Sequence, residues 1–171
     1  LRRGRGRCLR RSRPLHRLVR PPAGRRLCRR PHPVAAGQSG VAEELRSGQT
    51  ATIIAIGHPV AAAQEAAETL AAQGIDCTVI NARFVKPLDH TMLLAAAARG
   101  PLITVEENAL PGGFGSAVLE LLHDNGLHTV PIRRLGIPDR FIEQGPQNQL
   151  RHDVGIDYDV IVSAVQQLLG Q

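Results

Sequence analysis

From Gly48 onward, short apolar runs alternate with alanine-rich amphipathic segments, and a glycine or proline stands at nearly every junction. The run TATIIAIG (50–57) is rich in β-branched residues and is closed by glycine, which is typical of a strand buried on both faces. The segment after it carries apolar residues at helical spacing and ends before Gly74, a residue that favours helix termination. The repeated strand–helix order predicts an α/β fold with a mostly parallel sheet and right-handed crossovers.

The alternation of strand and helix patterns continues to the end of the chain and predicts one domain over residues 47–171. Asp89 and Asp157 stand where N-caps of helices are expected. Pro131 weakens the last strand and places it near a sheet edge. The domain should be a three-layer α/β/α sandwich with a sheet of four to five strands. We predict strands over residues 50–57, 75–84, 101–107 and 128–136, and helices over residues 60–73, 90–100, 115–126, 147–155 and 158–170.

Residues 1–46 differ in composition from this body. They contain 14 basic residues and two acidic ones, a balance of 14 − 2 = +12, whereas the remaining residues carry 7 basic and 13 acidic residues, or −6. Frequent Pro and Gly break any periodicity, so we expect a disordered basic leader or an aberrant linker. Three interpretations compete: a nucleic-acid-binding arm, a transit peptide, and GC-rich DNA translated in the wrong frame. We favour the wrong-frame product or a degenerate linker, because one lysine against 20 arginines fits a GC-rich source. The segment has no aromatic residue for base stacking, which disfavours nucleic acid as a partner.

The cysteines and the hydropathy pattern bear on the compartment. The chain has three cysteines, Cys8, Cys28 and Cys77, without metal-ligand spacing. Their odd number argues against a disulfide framework and favours a reducing cytoplasm. No apolar run approaches the roughly 18 residues needed to cross a bilayer. We therefore expect a cytoplasmic protein without a membrane partner.

Candidate functional residues follow the predicted strands, because ligands of open parallel sheets bind at the carboxyl ends of the strands. His58 could act as a general base, although its position at a helix start needs no function. Arg83 and Lys86 could clamp a phosphate or carboxylate, or pair with acids across an interface, and the structural role is favoured.

A second candidate region is the stretch EENALPGGFG. Glu106 and Glu107 would repel a phosphate at the following helix start, so this is not a dinucleotide site. We expect Gly113 and Gly115 to permit close backbone approach, with Ser116 helping to satisfy the helix start. The glutamates should then need cations from other loops or another chain, which would make the region a packing and interface device.

The loop IPDRFIEQG is the third candidate region. Asp139, Arg140 and Glu143 lie close together beside Phe141. These charges could fix the loop by an internal ion pair, or Arg140 could be presented to a partner. The sequence leaves both alternatives open.

Three stretches, NARFVKPLD, LITVEENALPGGFGSAV and IPDRFIEQG, closely resemble the C-terminal domain of the 1-deoxy-D-xylulose-5-phosphate synthase family in the transketolase superfamily. The likeness covers about residues 48–170. A looser similarity extends to the β-subunits of 2-oxoacid dehydrogenases, and the ending PDRFIEQG favours the synthase. An interaction module with an Arg-rich arm is an alternative of another class.

The resemblance implies a role within a larger enzyme. The complete enzymes join decarboxylated pyruvate to glyceraldehyde 3-phosphate for isoprenoid, thiamine and pyridoxal synthesis, using thiamine diphosphate and magnesium held by their N-terminal and central domains. We therefore expect an inactive fragment that binds neither cofactor and supports domain packing and the homodimer. No catalytic, cofactor-binding or metal-binding residue is carried over from the family.

Overall fold

The computed structural model describes residues 39–170. These residues form one five-stranded sheet with the strand order β1-β3-β2-β4-β5. The last four strands run parallel to one another, and β1 pairs antiparallel with β3. The strands are β1 (Glu43–Arg46), β2 (Ala51–Ala55), β3 (Cys77–Asn81), β4 (Leu102–Ala109) and β5 (Ile132–Ile137).

Helices cover both faces of the sheet. The apolar cluster under α1 and α5 contains Ile53, Val79 and Val105 of the sheet, whereas the cluster under α2 and α3 contains Ile54, Ile80 and Leu102. Successive strand residues thus point into opposite cores, as the alternation of side chains along a strand requires. The helices are α1 (Pro59–Ala72), α2 (His90–Arg99), α3 (Phe114–Asp124), α4 (Gln147–Val154) and α5 (Tyr158–Leu169).

Local sequence explains the element boundaries. All five residues of β2 are buried, as expected for a central strand. The Asp89 carboxylate accepts from the backbone nitrogen of Met92 at 3.0 Å, and the Asp157 carboxylate accepts from that of Val160 at 3.2 Å. Both predicted N-caps are confirmed, and the predicted α/β/α fold with a mostly parallel sheet is confirmed.

The predicted domain boundary at residue 47 falls inside the sheet. Residues Glu43–Arg46 form β1, and Glu44 lies opposite Ile80 of β3. Arg46 holds this edge strand in place, since its guanidinium pairs with Asp76 at 2.8 Å and donates to the Cys77 carbonyl. The domain therefore begins before residue 43, and the disorder predicted for most of the leader lies outside the described residues.

The other sheet edge matches the prediction. β5 is the terminal strand, and Pro131, which lacks a backbone donor, immediately precedes it.

No helix within residues 39–170 is long and apolar enough to cross a membrane.

Candidate functional site

The candidate residues lie along the edge formed by the carboxyl ends of the parallel strands, and Glu106 of β4 is the most buried of them. Its side chain is 0 % exposed. One carboxylate oxygen accepts from the backbone nitrogen of Phe114 at 2.6 Å, and the other accepts from that of Gly115 at 2.8 Å. Glu106 therefore caps the first turn of α3 from a neighbouring strand.

This arrangement corrects the prediction that Glu106 needs a cation from another loop or chain. The N-terminus of a helix carries unsatisfied N–H groups and a partial positive charge, and both favour a carboxylate. The residue before α3, Gly113, contributes no side-chain cap, so the strand supplies the missing acceptor. The buried negative charge is satisfied within the domain.

The glycines of the turn provide space for this carboxylate. A Cβ at Gly113 would overlap the Ala109 carbonyl oxygen and the Glu106 carboxylate, with the Glu106 Cδ only 2.8 Å away. A Cβ at Gly115 would lie 2.6 Å from the Thr104 hydroxyl. The close approach predicted at both glycines is present in the structure.

Arg134 of β5 links the turn to the edge strand, and sequence reasoning missed it. Its Nη1 donates to the Leu110 carbonyl at 3.0 Å and to the Ser116 hydroxyl at 2.8 Å. Ser116 also accepts from the Gly112 nitrogen at 3.1 Å and donates to the Leu110 carbonyl at 2.9 Å. Ser116 thus fixes the turn that precedes α3. The N–H groups of the helix start, which the sequence predicted Ser116 to help satisfy, donate to Glu106 instead.

Glu107 points away from Glu106, as adjacent strand residues do. Its carboxylate accepts from the Arg151 Nε at 2.9 Å and joins β4 to α4. The predicted need of Glu107 for a cation is met, and the cation comes from α4 of the same chain.

Arg83 and Lys86 lie after β3 and are not brought together on a common ligand. Arg83 has a φ of 58°, its guanidinium stacks over Phe84 with 5.3 Å to the ring centroid, and its Nη1 donates to the Val41 carbonyl at 3.4 Å. Lys86 is exposed. These contacts support the structural role that the sequence favoured for Arg83.

His58 stands at the entry to α1. Its side chain is exposed and makes no cap hydrogen bond to the helix. Among the residues described, none of the nucleophilic or carboxylate side chains hydrogen-bonds to it. The geometry agrees with a helix-entry role and shows no arrangement for general-base catalysis.

The loop after β5 presents its charged side chains and Phe141 to solvent. Asp139, Arg140 and Glu143 are exposed, and no ion pair joins them within the part of the chain that the structure describes. Phe141 is completely exposed, with a relative accessibility of 104 %. A loop fixed by an internal ion pair is therefore not what the structure contains, and the alternative, an Arg140 available to a partner, fits the geometry.

The start of α3 does not suit the diphosphate of thiamine diphosphate. The α3 N-terminus is the turn where a diphosphate would find backbone donors, but the Glu106 carboxylate already occupies it and would repel phosphate charge. Between residues 39 and 170, no group of three or more His, Cys, Asp or Glu side chains is arranged to hold a metal ion. The edge consists of a hydrogen-bonded turn beside an exposed loop.

Residues 40–161 match the family model described as the transketolase C-terminal domain. 1-Deoxy-D-xylulose-5-phosphate synthase 1 of Geobacter sulfurreducens is 62 % identical over 131 residues, which are 76 % of this chain and 21 % of that protein. The synthase of Magnetococcus marinus is 46 % identical over 154 residues, 89 % of this chain and 25 % of that protein. The latter alignment extends into the segment predicted to be a leader.

Solved structures of transketolases are similar to this chain. A split-gene transketolase, described as an inactive β4 tetramer, superposes with a TM-score of 0.72 at 36 % identity, over 78 % of this chain and 43 % of that one. The Campylobacter jejuni transketolase, at 23 % identity and a TM-score of 0.53, shares the fold. The chain spans between a fifth and a quarter of the length of the two curated synthases.

Proposed function

The chain belongs to the transketolase C-terminal domain family, and we propose that it serves as the C-terminal domain of a 1-deoxy-D-xylulose-5-phosphate synthase. In the proposed enzyme, pyruvate loses carbon dioxide and its remaining two-carbon unit is joined to glyceraldehyde 3-phosphate. Thiamine diphosphate and magnesium would be held by other domains. The proposal includes a cytoplasmic location and a homodimeric enzyme.

The exposed Phe141 is the observation that carries this proposal. A fully solvated aromatic side chain contributes nothing to the stability of the domain that bears it, whereas aromatic and arginine side chains dominate the energetics of interfaces. Arg140 stands beside it without an ion-pair partner in residues 39–170. The loop IPDRFIEQG thus has the composition of an interface, and its Asp139, Arg140, Phe141 and Glu143 side chains are exposed.

The rest of the edge supports the same role. Glu106, Arg134 and Ser116 fix the turn before α3, and Glu107 ties β4 to α4. These contacts hold the frame from which the loop after β5 extends, so that the loop can meet a neighbour with little further ordering. We propose that this neighbour is another domain of the synthase.

The experiment is complementation in trans. The full chain is mixed with Geobacter sulfurreducens synthase lacking the segment that aligns with it, and formation of 1-deoxy-D-xylulose 5-phosphate is measured with thiamine diphosphate and magnesium present. We expect no turnover by either protein alone and turnover by the mixture. Turnover by this chain alone would contradict the proposal, as would a mixture that neither associates nor reacts.

A further inference from the structure

A cleft of about 390 Å³ follows the outer edge of β5. Residues 133–136 of that strand line it in succession, together with the loop after β5 and the corner between α4 and α5. Because the side chains of consecutive strand residues point to opposite faces, a cleft lined by four of them lies along the strand edge.

The outer edge of β5 pairs with no strand of residues 39–170. β5 ends the sheet order, and β4 is its only strand partner within the described part of the chain. The carbonyls of Pro131 and Ile137 accept from β4 or its continuation, at 2.9 Å each from the nitrogens of Leu102 and Leu110. Residues at alternate positions, such as Arg134, therefore direct their backbone N–H and C=O groups away from β4.

The cleft is positively charged. Arg133 and Arg140 are exposed and pair with no carboxylate in residues 39–170, and the guanidinium of Arg134 contacts only neutral oxygens. Asp153 is the one acidic residue of the lining, and it accepts from the Gln149 side chain at 2.8 Å. Residues 1–38 contain no Asp or Glu, so they hold no carboxylate side chain that could neutralise these arginines.

The positive charge of the cleft indicates which kind of strand can bind along β5. Edge-to-edge pairing of β5 with β5 of a second copy would bring arginines of the two strands against one another, and like charges across a strand pair are destabilising. An acidic strand would meet complementary charge, and its apolar residues would face Val154 and Val160 of the cleft. We propose that the β5 edge binds an extended acidic segment of a partner polypeptide, which adds as a sixth strand.

The proposed strand addition does not depend on the synthase activity and is tested on the full chain by itself. The probe is a short fluorescent peptide of alternating glutamate and valine, and its binding is followed by anisotropy at low and high salt. We expect binding that weakens with salt, with affinity reduced about tenfold or more by Arg133→Glu and also by Arg140→Glu. Lys86→Glu, which makes the same charge change at an exposed site outside the cleft, should bind like the unsubstituted chain.

Two further probes separate strand addition from general attraction between charges. The same peptide with alternate backbone nitrogens methylated keeps its charge but cannot complete a strand ladder, and it should bind at least about tenfold more weakly. Equal binding of the methylated peptide, no binding of either peptide, or equal weakening by Lys86→Glu would overturn the proposal. Self-association of the chain that competes with the peptide and is lost in Arg133→Glu would show a second copy as the occupant and would also overturn it.

Discussion

Glu106 and Phe114 are joined by a hydrogen bond of 2.6 Å from the backbone nitrogen of Phe114 to the buried carboxylate of Glu106. The acid belongs to the sheet and the amide to the first turn of α3, so this bond connects two layers of the domain. The backbone N–H groups of a helix start favour an anion, and here a carboxylate of the protein itself accepts from them.

Removal of that carboxylate should destabilise the domain. In Glu106→Ala two buried N–H groups lose their acceptor and a cavity remains, so we expect the free energy of unfolding to fall by about 3–5 kcal/mol. Glu107→Gln, which breaks a partly exposed pair with Arg151, should cost less than about 1 kcal/mol. Urea denaturation of both variants measures the difference, and similar losses in the two would contradict the role assigned to Glu106.

Gly113 should be intolerant of any side chain. In Gly113→Ala the new Cβ would overlap the Ala109 carbonyl and lie 2.8 Å from the Glu106 Cδ, so we expect a loss of about 2–3 kcal/mol or more. Gly145→Ala is the matched control, because its Cβ would meet only the end of the Leu150 side chain at 3.3 Å. A Gly113→Ala protein as stable as Gly145→Ala in thermal denaturation would show that the turn is not tightly packed.

The corner between α4 and α5 should be sensitive to pH. The side-chain hydrogen bond with Asp157, at 2.6 Å, and the charge of that carboxylate raise the pKa of His152 above its ordinary value of 6.5. A histidine with a raised pKa in the folded state stabilises the fold below the pKa of the unfolded state, and that contribution is lost as pH rises through the folded pKa. The melting temperature of the unsubstituted chain should therefore exceed that of His152→Gln near pH 5.5, and the gap should close near pH 8.5.

Nuclear magnetic resonance titration provides the direct measurement for His152. Its midpoint should lie above 6.5 and should return toward that value in Asp157→Asn, which removes the charge but keeps an oxygen for the α5 cap. A gap in melting temperature that is independent of pH would contradict this assignment.

Cys77 should be unreactive in the folded protein. Burial in the central sheet is the main cause that raises the pKa of its thiol from 9.0 to about 11. At about pH 8 the thiolate fraction is then smaller by roughly a hundredfold, so alkylation by iodoacetamide should be slower by at least that factor than in denaturant. Mass spectrometry of the Cys77 peptide measures both rates, and equal rates would show that the strand opens readily.

Phe141 should matter for assembly without contributing to folding. Phe141→Ala removes a fully exposed side chain, so its free energy of unfolding should change by less than about 0.5 kcal/mol, whereas its affinity for the truncated synthase should fall by about tenfold or more. Tyr158→Ala provides an aromatic control on α5, where the side chain is 36 % exposed. Isothermal titration compares the two variants, and equal losses of affinity would remove the assigned role of the loop.

Much of the fold follows from local sequence because hydrophobic period and capping residues are local properties. The helices begin within two residues of the predicted positions, and Asp89 and Asp157 cap where expected. β1 was not predicted because EELR is a short edge strand in which three of the four residues are charged. Its pairing depends on distant contacts of Arg46 with Asp76 and the Cys77 carbonyl.

In the candidate site, too, local features could be predicted from the sequence, whereas contacts between distant residues could not. Two adjacent glutamates before a glycine turn indicate an unusual junction, but their separate partners depend on how the turn folds back. Glu106 meets backbone amides, whereas Glu107 meets Arg151, 44 positions away in the chain. The role of Arg134 could not be predicted from its sequence neighbours, because its contacts with the Leu110 carbonyl and Ser116 exist only once β5 lies beside β4.

A domain exchange measures whether this chain can serve as the C-terminal domain of a synthase. Residues 39–171 of this chain replace the aligned segment of Geobacter sulfurreducens synthase 1, and formation of 1-deoxy-D-xylulose 5-phosphate from pyruvate and glyceraldehyde 3-phosphate is measured. We expect a folded chimera with kcat/KM within about tenfold of the parent, and a further loss when Phe141→Ala is introduced. A folded chimera that holds thiamine diphosphate but does not turn over would contradict it.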